Sequence, residues 1–334
     1  MSAIAKQANE ACAEAPPAQP VIRRYQPPAG LKEAVSAAVM RAALRVSLKP
    51  FLGPPWPFAV QRAALSIGSS MMPQDGRAQV RVERVAHIEV DRVRPRAAAN
   101  GAQPRHAILY LHGGAFVAGS PRTHRSITRA LSALTGAQVL VPHYRLAPEA
   151  PFPAQLEDCI TCYRQLLQEG YTPDRISIAG DSAGGHLTFM TAIAAMQEGL
   201  PAPASLVMMS PALSLHPLPN STGFERQSRD PMIRMAWADD VARAMKVPAG
   251  HRWAEPMAQD LSQLPPSLTQ VGDDEVLYDN AVWVVENATA AGRHAELEVY
   301  MQRWHVFQAH ASLLPSAQRA LERQAEFMLR HWAR

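Results

Sequence analysis

Residues 180–184, Gly-Asp-Ser-Ala-Gly, constrain the fold of this chain more than any other segment. They follow the apolar run 175–179 and precede a long helical pattern, which predicts a strand, a sharp turn and a helix with Ser182 at the apex. Glycines flank the serine because the turn is crowded, and a side chain at Gly180 or Gly184 would collide with a neighbouring strand or helix. The arrangement is typical of a serine that is presented as a nucleophile.

A second motif lies about seventy residues upstream. Residues 112–116, His-Gly-Gly-Ala-Phe, directly follow the strand-like run 107–111. A glycine loop in this position supplies backbone N–H groups to an oxyanion hole, which stabilises the charged intermediate of acyl transfer. Because each motif has its expected flanking elements, the pair indicates one catalytic site rather than two chance matches.

Apolar runs alternate with helical patterns over most of the chain. The strand-like runs are 107–111, 138–141, 175–179, 205–209, 268–271 and 296–300, and residues 79–95 alternate in a way that predicts two antiparallel strands before them. This alternation predicts an α/β fold with a mostly parallel central sheet and helices on both faces. Ligands of such sheets bind beyond the carboxyl ends of the strands, where both motifs fall.

Two segments lack strand patterns and predict a helical cap. Residues 31–70 have helical spacing interrupted by prolines, and residues 211–265 contain the helical run 232–245. We therefore expect an N-terminal helical cap segment, residues 1–75, of which 1–20 are poorly ordered, and a catalytic domain, residues 76–334, with a cap insertion at about 211–265. The expected contact joins Val35, Val39 and Val46 to Met232, Ile233, Met235 and Trp237. An excursion of the insertion away from the site is the alternative.

A serine at neutral pH needs a base within hydrogen-bond reach and an acid that orients the base. In this architecture the acid follows the serine, and the histidine comes last. His305 is the histidine that follows the final predicted strand on a loop, so it is the candidate base. Three carboxylates, Asp273, Asp274 and Glu275, follow the preceding strand, and the pattern of residues leaves the choice among them open.

Four linked motifs together resemble the hormone-sensitive-lipase family of α/β-hydrolases, in its bacterial carboxylesterase branch. They are residues 112–116, Tyr-Arg-Leu-Ala-Pro-Glu at 144–149, Phe-Pro-Ala at 152–154 and Gly-Asp-Ser-Ala-Gly-Gly at 180–185. The resemblance runs from about residue 80 to the C-terminus. It implies the α/β-hydrolase fold, a helical cap, a triad of serine, acid and histidine, and an oxyanion hole from the His-Gly-Gly loop.

The resemblance also favours one of the acids. In this family the acid lies two positions before a leucine and close to thirty residues before the histidine, as Glu275 does relative to Leu277 and His305 (305 − 275 = 30). Glutamate replaces the commoner aspartate here and the usual proline is absent, so Asp274 remains a rival. The expected triad is Ser182, Glu275 and His305, and the expected oxyanion donors are the N–H groups of Gly113, Gly114 and Ala183.

These residues predict a serine carboxylesterase that hydrolyses short- to medium-chain acyl esters through an acyl-enzyme. A lactone or amide hydrolase would use the same triad. A non-catalytic small-molecule receptor, of the kind that the related gibberellin receptors exemplify, is the alternative of another class. Those receptors lack the catalytic histidine, so the presence of His305 favours an enzyme.

Composition excludes several other classes. The formal net charge is only +4 over 334 residues and no basic run exceeds two residues, so we expect no nucleic-acid partner. No apolar run is long enough for a membrane span or a signal peptide, so we expect a cytoplasmic protein whose partner is a small ester, with a homodimer left open. Cys159 and Cys162 fall in a helical pattern without a second ligand pair, so we expect buried thiols and no metal or cofactor.

Overall fold

A computed structural model describes residues 19–96, 103–214, 218 and 221–333. Its centre is one nine-stranded sheet with the order β1-β9-β8-β7-β6-β4-β5-β3-β2. The strands are β1 Val21–Tyr25, β2 Ala78–Val85, β3 Ile88–Pro95, β4 Ala107–Leu111, β5 Gln138–Pro142, β6 Ile176–Asp181, β7 Ser205–Met209, β8 Ser267–Gly272 and β9 Ala295–Tyr300. From β1 to β5 all neighbours are parallel, and β3 and β2 add an antiparallel edge. The predicted α/β sheet is confirmed.

Helices cover both faces of the sheet. They are α1 Leu31–Ser47, α2 Phe58–Ser70, α3 Arg125–Thr135, α4 Ala154–Gln168, α5 Ala183–Gln197, α6 Gly223–Arg226, α7 Ala236–Met245, α8 Tyr278–Ala290 and α9 Pro315–His331. Alternate residues of β4 enter different cores, with Leu109 and Leu111 on one face and Ile108 and Tyr110 on the other. Because both faces are buried, the strand is apolar throughout and has no polar period.

Strand β1 was not predicted. It pairs in parallel with β9, and Tyr25 stacks on Tyr300 with ring centroids 5.1 Å apart. The segment Val-Ile-Arg-Arg-Tyr has no alternating pattern, because an edge strand is held by backbone hydrogen bonds and needs little burial. The expectation of poor order for residues 1–20 lies almost entirely outside the described residues, which begin at residue 19.

Helix α1 buries a different face from the one expected. Val35, Val39 and Val46 are 50%, 62% and 76% exposed, so the predicted packing of these valines on the insertion is wrong. The buried apolar residues are Met40 and Leu44. The helix carries two apolar stripes, and periodicity alone does not say which stripe meets the protein.

The insertion contains less helix than predicted. No strand occurs in its described residues, as expected, but helix α7 begins at Ala236 rather than at residue 232. The carboxylate of Asp230 accepts the N–H groups of Met232 and Ile233 at 2.8 and 3.0 Å. These bonds satisfy the backbone locally and therefore compete with helix formation.

The two helix cysteines are buried thiols, as predicted. Cys159 and Cys162 lie in α4, and burial raises the pKa of Cys162 to about 12. A thiol with so high a pKa is unreactive at neutral pH. Within the described residues, no helix combines the length and the apolar character that a bilayer crossing requires.

A buried ion pair joins α1 to the segment after β9. The carboxylate of Glu33 pairs with the guanidinium of Arg303, and both side chains are only 3% exposed. The hydroxyl of Ser316, at the start of α9, donates to the same carboxylate. Arg303 is two residues before His305, so this ion pair holds the start of the loop that carries the histidine.

We expect Glu33→Ala to lower the free energy of unfolding by about 3–5 kcal/mol, because it leaves the Arg303 charge buried and unpaired. Chemical denaturation of the full chain measures this. Glu322→Ala is the control, since it breaks an exposed pair with Arg319 and should cost no more than about 1 kcal/mol. Equal decreases in the free energy of unfolding of the two variants would contradict a larger contribution from the buried pair.

Candidate active site

Ser182 occupies a strained turn between β6 and α5. Its backbone has φ 54° and ψ −119°, a region that residues with a side chain rarely adopt. The turn is held from both sides, since the Ser182 N–H donates to the Met209 carbonyl at 2.8 Å and the Ser182 carbonyl accepts the Ala212 N–H at 3.0 Å. The backbone of Ser182 is therefore held in place at the tip of the turn.

The flanking glycines are required by contact distances. A Cβ atom on Gly184 would lie 1.9 Å from the carbonyl oxygen of Leu111, and one on Gly180 would lie 2.5 Å from the same oxygen. These neighbours are backbone atoms, which cannot rotate away. The two glycines thus let the turn approach the end of β4, where the His-Gly-Gly loop begins.

The loop after β4 differs from expectation at Gly113. Its N–H donates to Oδ1 of Asp181 at 3.2 Å, so this donor is already occupied. Gly114 and Ala115 both have positive φ, 120° and 54°, and in the described chain neither of their N–H groups meets an acceptor. The N–H of Ala183, at the first position of α5, is unpaired in the same way. Three free donors therefore remain near Ser182.

Asp181 connects the turn at Ser182 to this loop. Its buried carboxylate also accepts from the Tyr110 hydroxyl at 2.6 Å and contacts Nε2 of His124 at 3.1 Å. Burial opposes a charge on His124, but the Asp181 carboxylate outweighs it and raises the pKa of His124. Sequence reasoning missed Tyr110 and His124, because nothing local marks contacts across 71 and 57 residues.

His305 and Glu275 lie together in the interior. Nδ1 of His305 is 3.8 Å from Oε1 of Glu275, and the two side chains are 4% and 0% exposed. Within the described residues neither of these atoms has a hydrogen-bond partner. Oε2 of Glu275 is held by the Ser210 hydroxyl at 2.8 Å and the Gly272 N–H at 3.2 Å. A movement of under about 1 Å would bring the free pair into hydrogen-bond range.

The carboxylates around His305 determine its charge. Burial disfavours the imidazolium, but Glu275, Asp230 and Asp181 together outweigh burial and raise the pKa of His305. Asp230 is a buried carboxylate that sequence reasoning did not single out. Its Oδ2 accepts the N–H of Val276 at 3.3 Å, so the insertion reaches the residue next to Glu275.

The two rival acids have other partners. Oδ2 of Asp274 is 2.9 Å from Nη2 of Arg41, and its Oδ1 is 3.4 Å from Nε of Arg229. The side chain of Asp273 accepts the N–H of Gln302. Of the three neighbouring carboxylates, Glu275 is the one that contacts His305.

Ser182 lies between two cavities. The larger has a volume of about 600 Å³, and its lining includes Ser182, His305 and residues of α1, α2 and α7. The smaller has a volume of about 70 Å³ and is lined by Ser182 and by residues of the insertion such as Val241. Among the described residues, His305 lines the larger cavity and not the smaller. Ile233 and Trp237 border both, so they form part of the wall between them.

No cluster of three or more His, Cys, Asp or Glu side chains suited to a metal ion occurs in residues 19–96, 103–214, 218 or 221–333. The polar groups around Ser182 are instead a histidine, carboxylates and free backbone N–H groups. These groups are suited to moving a proton and stabilising an oxyanion.

Comparison with known proteins identifies the family. Residues 108–309 match the model of a family described as having the alpha/beta hydrolase fold, so the chain belongs to the α/β-hydrolases. An acetyl-hydrolase of Streptomyces hygroscopicus is 38% identical over 74% of this chain and 81% of the relative. Esterase LipU of Mycobacterium tuberculosis is 33% identical over 82% of this chain and 93% of the relative.

Solved structures narrow the class further. A crystal structure of an esterase from the bacterial hormone-sensitive lipase family covers 92% of this chain with a TM-score of 0.81 and 32% identity. A crystal structure of EstE5 covers 92% of this chain and 100% of its own with a TM-score of 0.82 and 36% identity. The chain is thus a member of the bacterial hormone-sensitive-lipase family, a carboxylic ester hydrolase, as its motifs predicted.

Proposed function

We propose that the protein is a serine carboxylesterase in which Ser182, His305 and Glu275 form the triad. The observation that carries this proposal is the distance of 3.8 Å between Nδ1 of His305 and Oε1 of Glu275, two buried atoms that have no other partner among the described residues. His305 also shares a cavity with Ser182. Catalytic hydrogen bonds are often long before substrate binds. The family membership supports ester hydrolysis independently.

The proposed reaction has two steps. Glu275 accepts a hydrogen bond from the Nδ1–H of His305, which leaves the lone pair of Nε2 free to take the Ser182 proton as the serine attacks the ester carbonyl. The imidazolium then protonates the departing alcohol, and the acyl group stays on Ser182. Water, activated by the same histidine, releases the acid and restores the serine.

The oxyanion donors in this proposal are the N–H groups of Gly114, Ala115 and Ala183. Gly113, which the sequence suggested, is replaced by Ala115, because the Gly113 N–H is bound to Asp181. Each donor of this kind can contribute about 3 kcal/mol to the transition state. The N-terminus of α5 adds a partial positive charge at the same place.

The cavities support an orientation for the ester. Because His305 must protonate the departing oxygen, the alcohol lies on the side of the cavity that His305 lines, the one of about 600 Å³. The acyl group then occupies the cavity of about 70 Å³, which fits a short chain. This supports short- rather than long-chain acyl esters as substrates.

We propose that the cap consists of helices α1 and α2, which lie in the expected segment 1–75, and of the insertion at about 211–265; strand β1 of the same segment belongs to the sheet instead. This assignment is supported because residues of α1, α2 and the start of α7 all line the cavity of about 600 Å³, which Ser182 also lines. Walls such as Leu44, Val60 and Ile233 are apolar, so they favour an apolar alcohol group.

Ser182→Ala should abolish ester hydrolysis, because it removes the hydroxyl that carries the acyl group in the proposed reaction. The measurement is turnover of a chromogenic acetate and of butyrate, with a lactone and an amide as comparison substrates. A fluorophosphonate should label the wild type at Ser182, as mapped by peptide mass. Full activity in the variant, or labelling at another residue, would refute the triad.

The value of kcat/KM should rise with pH through a midpoint above about 6.5, the ordinary pKa of histidine, because His305 acts as a neutral base and its pKa is raised. Activity is therefore lost as pH falls through that raised pKa. Glu275→Gln removes a carboxylate that raises it, so the midpoint should move down, and kcat should fall by up to about 10⁴. Asp274→Asn should cost much less. If Asp274→Asn lowered kcat more than Glu275→Gln did, Asp274 would be the acid of the triad.

With the alcohol held constant, kcat/KM should fall as the acyl chain is lengthened from acetyl or butyryl to octanoyl. Val241→Ala should shift this profile toward longer chains, because Val241 lines the smaller cavity. Val60→Ala is the matched control, since Val60 lines the larger cavity, and it should leave the acyl profile in place. If Val60→Ala shifted the profile and Val241→Ala did not, the ester would bind in the opposite orientation.

A further inference from the structure

Helix α1 presents three basic side chains at one-turn spacing, Arg41, Arg45 and Lys49, the last just beyond its end. All three donate to backbone carbonyls of residues 227–230 in the insertion. Arg41 reaches the Arg229 carbonyl at 2.9 Å, Arg45 reaches the same carbonyl at 3.2 Å, and Lys49 reaches that of Gln227 at 3.0 Å. This face of α1 thereby ties the two cap segments together.

Arg41 alone among the three also contacts both loops that carry the acid and the base. Its Nη2 lies 2.9 Å from Oδ2 of Asp274 and 3.1 Å from the carbonyl oxygen of Gln302. Its guanidinium carbon lies 5.2 Å from the ring centroid of Trp304. Asp274 directly precedes Glu275, and Trp304 directly precedes His305. The cation thus sits at the junction of three segments.

The ion pair of Arg41 and Asp274 is mostly buried, which distinguishes it from a surface ion pair. The side chains of Arg41 and Asp274 are only 21% and 14% exposed. A planar guanidinium can hold several acceptors in fixed directions, whereas a lysine ammonium acts as a point charge. The two loops also touch directly, since the Asp274 N–H donates to the Arg303 carbonyl at 3.0 Å. Arg41 therefore adds a second connection between two loops that are already in direct contact.

Small displacements at this junction matter for the site. Nδ1 of His305 and Oε1 of Glu275 are 3.8 Å apart, so a shift well under 1 Å in either loop decides whether their hydrogen bond forms. The 273–275 and 302–305 segments are joined to α1, whose Met40 and Leu44 line the large cavity. A rigid link between α1 and the loops would make substrate contact and triad geometry interdependent.

We propose that Arg41 is a positioning residue that holds the Glu275 loop and the His305 loop in register and links them to the substrate-lining helix α1. The inference rests on the proposed triad. Arg45 has the same helix, charge and insertion partner as Arg41, but it lacks the bonds to Asp274 and Gln302, which separates positioning from simple attachment of the cap.

The test compares Arg41→Met with Arg45→Met in the full chain, using a soluble short-chain ester. A misplacement of about 1 Å can cost up to about 100-fold, so kcat in Arg41→Met should fall by about 10- to 100-fold with KM changed little. Arg45→Met should retain kcat within about twofold. Arg41→Lys should fall between Arg41→Met and the wild type, because lysine keeps the ion pair but not the fork.

The pH profile distinguishes positioning from a general charge effect. His305 is faced by the carboxylates of Glu275, Asp230 and Asp181. Removing the Arg41 cation without any movement would raise the pKa of His305, whereas retreat of Glu275 would lower it. We expect the midpoint of kcat/KM to move to lower pH in Arg41→Met and to stay in place in Arg45→Met.

A double-mutant cycle completes the test. Asp274→Asn should reproduce a smaller version of the Arg41→Met effect, and the double variant should lose less than the product of the two single losses, because both remove the Arg41–Asp274 ion pair. If Arg41→Met failed to fold by circular dichroism, Arg41→Lys would decide the question, because it keeps the charge, so a fall in kcat and in the pH midpoint would report lost positioning. Equal effects of Arg41→Met and Arg45→Met, or an upward midpoint, would overturn the proposal. Activity in Ser182→Ala would instead overturn the triad itself.

Discussion

The crowding of three backbone segments at the end of β4 is the constraint on which the site depends. The Leu111 carbonyl lies so close to Gly180 and Gly184 that no side chain fits at either position. This contact brings the strained turn of Ser182 directly against the loop at residues 112–116. The strain at φ 54° is tolerated because the turn is bonded to Met209 and Ala212 on the neighbouring segment. The proposed nucleophile and oxyanion donors are consequently arranged before any substrate arrives, so the proposed reaction would need little reorganisation.

Two buried carboxylates close to this turn, those of Asp181 and Glu275, differ in their hydrogen-bond partners. Asp181 uses its oxygens to hold Tyr110, His124 and the Gly113 N–H, so it serves the architecture of the loop. Glu275 is held by Ser210 and Gly272 through one oxygen and keeps the other free near His305. The difference between the two acids lies in their partners, since both are almost completely buried. A carboxylate with one free oxygen can accept a hydrogen bond from an N–H group. A carboxylate with both oxygens bonded instead holds the neighbouring groups in place.

Helix α1, part of the proposed cap, is joined to the loops that carry Glu275 and His305 by polar contacts rather than by the apolar stripe that periodicity suggests. Glu33 pairs with Arg303, and Arg41 reaches Asp274, so α1 is attached next to both the histidine and the acid. Its apolar contribution, Met40 and Leu44, lines the large cavity. The same helix therefore borders the alcohol side of the proposed site and the loops that carry the proposed acid and base.

The sequence by itself determined the parallel sheet, the turn at Ser182 and His305 as the candidate base, because these depend on local patterns: runs buried on both faces, glycines where backbones meet, and chain order. It narrowed the acid to three neighbours. Tertiary structure decided that Glu275 contacts His305, that Gly113 is bonded to Asp181, that β1 joins the sheet and which stripe of α1 is buried. Contacts such as Arg41 with Asp274 join residues 233 apart, and no local pattern records them. Long-range charge pairing and the choice between two apolar faces depend on how the whole chain packs.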